Sequence, residues 1–196
     1  MSATVPGTDG LIRCNWPGMA GNDLYTRYHD DEWGTPISGT GRERETQYFE
    51  RLSLEAFQSG LSWLTILRKR EAFRTAFAGF EPEQVAAFTE TDVARLLGDA
   101  GIVRNTAKIT ATIANARAIL ALPVGESLAG LIEAHRPAPR LATEPIPAQT
   151  LESTALAKAL KQRGFRFIGP TTAYAMMQAV GLVNDHQADC WVRGER

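Results

Sequence analysis

Two cysteines and three histidines are all that this 196-residue chain holds of the usual thiolate and imidazole metal ligands, and its net charge is only −1. A chain of this length can bury a sizeable core, so its stability requires neither disulfides nor a metal on grounds of size. The near-neutral total removes any global electrostatic argument for nucleic acid or acidic lipid. DNA binding would have to come from local geometry. Long apolar runs are missing as well. The opening MSATVPGTDG is small and polar, unlike a signal peptide, and no later stretch approaches the length of a membrane span. The expectation is a cytoplasmic, membrane-free monomer, flexible over 1–10 and folded as one domain over 11–196.

The scarce cysteines lie near opposite ends, each with a histidine in its neighbourhood: Cys14 with His29, Cys190 with His186. Two thiolates and two imidazoles would fill the tetrahedral shell of one structural zinc and clasp the termini together. His186 and Cys190 are spaced i, i+4 in HQADC, which on a helix would project both from one face. Two other readings stand beside zinc: cysteines as small buried hydrophobes, and a disulfide, which the absence of any sign of secretion disfavours.

Apolar residues recur at helical spacing, as in Ile109, Ile113, Ala116 and Leu120, or Ala173, Met176, Met177 and Val180. The spacing predicts a mainly helical chain, with further helices over about 46–58, 62–70, 82–88, 91–98 and 127–135. Pro137, Pro139, Pro145 and Pro147 forbid a continuous helix between 136 and 149, which reads as a connector. Beyond it a helix over about 154–163 meets GFRFIG and a second helix opening at Pro170. Gly164 can end the first helix in the left-handed conformation, and Gly169 allows a backbone to approach closely. Exposed amides of such a hairpin can hold a phosphate, with charge added by Arg166 and Lys161. An ordinary helical hairpin plugged by Phe165, Phe167 and Ile168 fits the segment equally well. Two basic clusters, 68–74 and 154–166, read as solvated helix faces unless a partner lies beside them.

Aromatics make up only 8% of the chain, yet Trp16, Tyr25, Tyr28, Trp33 and Trp63 gather in its first third. Packing alone accounts for most such groups. Within LEAFQSGLSW, however, Glu55 and Trp63 flank a glycine break. A carboxylate among aromatic faces suits a methylated purine, whose positive charge is drawn to the rings while its N–H groups donate to the acid. Alone, Glu55 would read as a solvent-facing helix acid.

Taken together, RCNW at 13–16, LYTRYHDDEWG at 24–34, LEAFQSGLSW at 54–63, DAGIVRN at 99–105, KQRGFRFIG at 161–169 and GLVNDHQADC at 181–190 make the chain resemble the 3-methyladenine DNA glycosylase I family. The resemblance implies an all-α helix-hairpin-helix glycosylase bundle with a zinc clasp. A central helical part would span 46–135, and the hairpin and zinc-binding part at 150–190 would pack with 11–34. It implies an enzyme that flips 3-methyladenine out of alkylated double-stranded DNA and hydrolyses its N-glycosidic bond. The non-catalytic alternative is a helix-hairpin-helix DNA-binding module with structural zinc. The implied zinc ligands are Cys14, His29, His186 and Cys190. The implied base pocket is Glu55, Tyr28 and Trp63, with Trp16 and Tyr25 as walls. Leu61 would fill the space the base leaves, and Gly164, Arg166 and Gly169 would contact the DNA backbone. Asp185 and Asp189 would support the zinc ligands from outside. The segment 34–46 differs in length from the family pattern and reads as a surface loop.

Overall fold

The computed structural model describes residues 4–195 and is mainly helical. In chain order the helices are α1 (Asp23–Arg27), α2 (Gly41–Gln58), α3 (Trp63–Ala76), α4 (Pro82–Ala86), α5 (Glu90–Gly98), α6 (Thr106–Leu120), α7 (Leu128–Glu133), α8 (Leu151–Gln162) and α9 (Pro170–Ala179). A π-helical turn, Tyr28–Glu32, continues directly from α1.

Three places differ from the sequence expectation. The opening residues, expected to be flexible, contribute a strand β1 (Thr4–Pro6) that pairs antiparallel with β2 (Ile12–Cys14), Thr4 opposite Cys14. Asp9 in the turn between them holds Arg13 at 2.7 Å. The segment 34–46 is only partly loop, because α2 already begins at Gly41. Its first turns are tied down by Arg42 to Glu81 at 2.7 Å and by Arg44 to Glu133, long-range pairs that local spacing does not reveal. HQADC, finally, is not helical: His186 to Cys190 run through bends and a turn.

The centre of the molecule is α2, which packs against α3, α6, α7 and α9. Phe49, Leu52 and Phe57 of this helix are wholly buried. Removing each such side chain from water is worth about 1.5–3 kcal/mol. Ser62 caps α3 by accepting the Thr65 N–H at 3.2 Å, and Asn105 caps α6 by accepting that of Lys108 at 3.0 Å. Gly181, at φ +67°, lets the chain after α9 meet the loop after Trp33. A Cβ there would lie 2.5 Å from the Gly34 carbonyl oxygen.

Helices α8 and α9 form the hairpin that the sequence suggests. Gly164, at φ +89°, ends α8, with its N–H on the Lys161 carbonyl and the Phe165 N–H on the Leu160 carbonyl, both at 3.1 Å. These two bonds are a Schellman closure. Pro170 opens α9 at a position where no N–H is needed. Between them Phe167 adopts φ +63°, a costly conformation for a bulky residue. Asn115 of α6 holds it in place: its side chain accepts the Arg166 N–H at 2.7 Å and donates to the Arg166 carbonyl at 3.1 Å.

Candidate active site and metal centre

The π-helical turn sets two adjacent side chains to different tasks. Tyr28 enters a cavity and His29 enters a buried Cys/His cluster. Such a turn carries one residue more per hydrogen-bonded ring than an α-helix, and it recurs where side chains must be aimed.

In the cluster, the ligating atoms of Cys14, His29, His186 and Cys190 lie within 4.8 Å of one another, and all four residues are buried. Cys14 Sγ is 3.7 Å from His186 Nδ1, Cys190 Sγ is 3.6 Å from the same atom, and Cys190 Sγ is 3.5 Å from His29 Nε2. A tetrahedral zinc with bonds of about 2.0–2.3 Å requires edges of about 3.3–3.8 Å. These three separations fall in that range, so the cluster could hold a metal ion.

Hydrogen bonding on the outer side of the imidazoles supports the same fit. His29 turns Nδ1 to Asp30 at 2.8 Å, and His186 turns Nε2 to the Trp33 carbonyl at 3.3 Å. With those nitrogens protonated, Nε2 of His29 and Nδ1 of His186 present lone pairs to the cluster. Burial works against the Asp30 charge, but bonds from Arg13 and His29 outweigh it and lower its pKa. The two thiols respond oppositely. Cys14 is pushed up by its bond to Cys190 and then by burial, while Cys190 is pulled down by Cys14 and then by the imidazoles. A divalent cation would offset the charge of both thiolates and admit them together.

Asp185 and Asp189 do not support the ligands as expected. Asp185 is buried and accepts from Tyr174 Oη at 2.6 Å, Gln178 Nε2 at 2.9 Å and Arg140 Nη1 at 2.5 Å, whereas Asp189 is exposed. Asp30 and the Trp33 carbonyl hold the imidazoles instead. The signal for Asp30 was its place directly after His29. Nothing local marked the carbonyl.

Next to the cluster lies a cavity of about 320 Å³. The structure brings Trp16, Tyr25, Tyr28, Glu55 and Trp63 together in its lining. Trp16 lies between the two features, its ring 4.8 Å from that of His29 and 5.4 Å from that of Tyr25. The Tyr28 and Trp63 rings stand 5.1 Å apart, tilted by 40°. Arg51 donates to the Tyr28 hydroxyl at 3.2 Å, and Glu32, bound to Arg70, draws Arg51 from the other side.

Glu55 is the electrostatic oddity of this cavity. It is 6% exposed, has no hydrogen-bond partner among the described residues, and is pushed up to about 7 by burial, against a smaller opposing pull from Arg51. Trp63 Nε1 is likewise buried without a partner. A carboxyl lacking partners inside an aromatic box is costly unless a ligand supplies the donors.

Leu61 is placed outside this lining, 42% exposed on the short turn between α2 and α3. Gly164, Arg166 and Gly169 stand apart too, on the α8–α9 hairpin. Gly164 and Arg166 border a separate cavity of about 810 Å³, together with Arg117 and Arg163. Sequence reasoning did not assign Gln58, Trp33, Ile146, Ala175 or Gln178 to the base cavity. Gln58 sits three residues from Glu55, a helical neighbour that periodicity could have offered. Ile146 comes from the proline-rich connector and carried no local signal.

A family model for methyladenine glycosylase matches residues 16–193, a range that omits Cys14. The chain is 46% identical over 186 residues to DNA-3-methyladenine glycosylase 1 of Escherichia coli, spanning 92% of this chain and 96% of that one. It is 43% identical over 187 residues to DNA-3-methyladenine glycosylase of Haemophilus influenzae, spanning 91% and 96%. Its fold matches a crystal structure of 3-methyladenine DNA glycosylase I with a TM-score of 0.83 and 46% identity, over 91% of this chain and 98% of that one. A second match is a structure on 3-methyladenine recognition by 3-methyladenine DNA glycosylase I of Staphylococcus aureus, with a TM-score of 0.80 and 34% identity, over 89% and 93%. With the family model spanning most of its length, the chain belongs to the methyladenine glycosylase family.

Proposed function

We propose that this protein is a DNA repair hydrolase that extrudes 3-methyladenine from alkylated double-stranded DNA and cleaves its N-glycosidic bond, leaving an abasic site. The observation that carries the reading is Glu55, a buried carboxyl with no hydrogen-bond partner among the described residues, in an aromatic-walled cavity. A damaged base costs less to unstack than an intact one, so extrusion already favours the lesion. In the cavity, Tyr28 and Trp63 receive the cationic ring against their faces, with Trp16 and Tyr25 as walls, and Glu55 accepts N–H bonds from its edge.

A 3-methylated base in DNA already carries a positive charge, so it departs with the electron pair of its bond to the sugar and emerges neutral. Water adds to the sugar carbon and loses a proton. Protonation of the base is not required, and Glu55 accordingly reads the base rather than acting as its acid.

Around that pocket we assign a helix-hairpin-helix bundle in which Gly164, Arg166 and Gly169 contact the DNA backbone and Leu61 fills the space left by the base. Cys14, His29, His186 and Cys190 would hold one zinc ion. Held by four protein side chains, such an ion would cross-link β2 and the π-helical turn to the C-terminal segment. His29 follows Tyr28 directly, so the clasp also fixes one wall of the pocket. The protein acts as a monomer in the cytoplasm on this reading; among the described residues, no helix is long and apolar enough to cross a membrane.

Incubation with methylated duplex DNA and identification of the released bases tests the assignment. Release of 3-methyladenine without 7-methylguanine is expected, and no release would overturn it. A purely DNA-binding module would have no use for the Glu55 cavity and would not take up free 3-methyladenine.

A further inference from the structure

We infer that Gln178 is a second base-reading residue, and that Asp185 sets its specificity by fixing which end of its amide faces the cavity. The inference rests on the glycosylase reading and extends it. Gln178 lines the base cavity from α9, one turn beyond Ala175, as Glu55 and Gln58 do from α2. A glutamine amide can present either a donor or an acceptor, and a free one supplies no discrimination.

This amide is not free. Its Nε2 donates to Asp185 Oδ2 at 2.9 Å. The Asp185 carboxylate is ion-paired with Arg140 and accepts this bond, so the NH₂ end points to Asp185 and Oε1 points away. Asp185 cannot turn aside, because Tyr174 Oη donates to the same oxygen at 2.6 Å and Arg140 Nη1 to the other at 2.5 Å. Both partners hold it as an acceptor. Oε1 of Gln178 has no partner among the described residues and is not among the polar atoms shut away from solvent. It is therefore left open where its residue meets the cavity.

The cavity then offers two acceptors, Glu55 and Gln178 Oε1, to whatever enters. An adenine-type base carries an exocyclic amine with two N–H donors. A hypoxanthine-type base carries a carbonyl at the same position, which would face these acceptors unpaired. Loss of one ordinary hydrogen bond is worth about tenfold in affinity. Asp185 is thus a positioning residue, and Gln178 touches the base.

Binding of free 3-methyladenine and free 3-methylhypoxanthine should be measured by calorimetry on the zinc-loaded wild type and on Gln178→Leu and Asp185→Asn, with zinc content and melting temperature recorded. Wild type should prefer 3-methyladenine. In Gln178→Leu that preference should fall about tenfold, mostly through weaker 3-methyladenine binding. In Asp185→Asn the amide at position 185 can donate to Gln178, which then turns its NH₂ into the cavity, so the preference should fall and 3-methylhypoxanthine should gain. A merely structural role would lower melting temperature and leave the preference ratio alone. An unchanged ratio in Gln178→Leu overturns the inference, whatever becomes of the stability of Asp185→Asn. If wild type releases 3-methyladenine from DNA while that ratio stays fixed, only the role of Gln178 fails. If wild type releases none, the glycosylase reading and the inference fail together.

Discussion

Replacing Glu55 with glutamine keeps the shape of the side chain and removes its charge, so the variant isolates the cost of holding a carboxyl in the pocket. Burial raises its pKa from 4.5 to about 7. The native state therefore keeps the proton over a range where the unfolded chain has lost it. A group whose native pKa is raised in this way destabilises the fold as pH rises above the unfolded value, and the penalty levels off above the native one. The penalty is on the order of 1 kcal/mol at pH 5.5 and on the order of 3 kcal/mol at pH 8. Glu55→Gln should consequently melt higher than wild type, by roughly 5–10 °C at pH 8 for a chain of this size and by less than half of that at pH 5.5. Thermal unfolding of both proteins across that range, at equal zinc occupancy, measures the difference. The same substitution should weaken 3-methyladenine binding about tenfold or more and slow excision, since a charge-assisted acceptor is lost. Excision by wild type should rise with pH through about 7 as the carboxylate forms, and the variant should lack that step. A variant equal to wild type in stability at both pH values, or in excision rate, would refute a buried, base-facing Glu55.

The other elements give separate tests. Asp30→Asn removes the carboxylate that orients His29 and should weaken zinc affinity by about 10–100-fold, read by competition with a chelator. His186→Ala should release the metal and lower the melting temperature before it changes base selectivity; metal analysis beside free-base binding would show this. Asn115→Ala strands the Arg166 N–H and carbonyl at a hairpin already strained at Phe167 and should cost about 1–3 kcal/mol. Its signature is weaker binding to duplex DNA with free 3-methyladenine affinity kept. Leu61→Ala should slow release from duplex DNA without affecting the free base, and equal losses on both would remove Leu61 from the role of wedge.

Much of the fold was legible from local rules. Local signals located α4, α5, α7 and α8 to within a few residues, apolar spacing marked α6, and Pro170 marked the start of α9, while α3 runs six residues beyond its expected end. These signals are local because helix ends and turns are settled by backbone sterics and caps. The misses were long-range. The early start of α2 depends on Arg42 and Arg44 reaching Glu81 and Glu133, and the strand at Thr4–Pro6 depends on pairing with β2.

At the site the division is sharper. Residue types and their spacing set the chemistry on offer: two Cys/His pairs at the chain ends, a glutamate and a tryptophan around a glycine break, and a cluster of aromatic residues before them. What each was for depended on packing between distant segments. Folding placed four Cys and His donor atoms within 4.8 Å, left Glu55 without a hydrogen-bond partner among the described residues, and turned Asp185 to Gln178, Tyr174 and Arg140. Residue type fixes which bonds a side chain can make. Which bonds it does make depends on groups brought close from elsewhere in the chain, and on how much water remains between them.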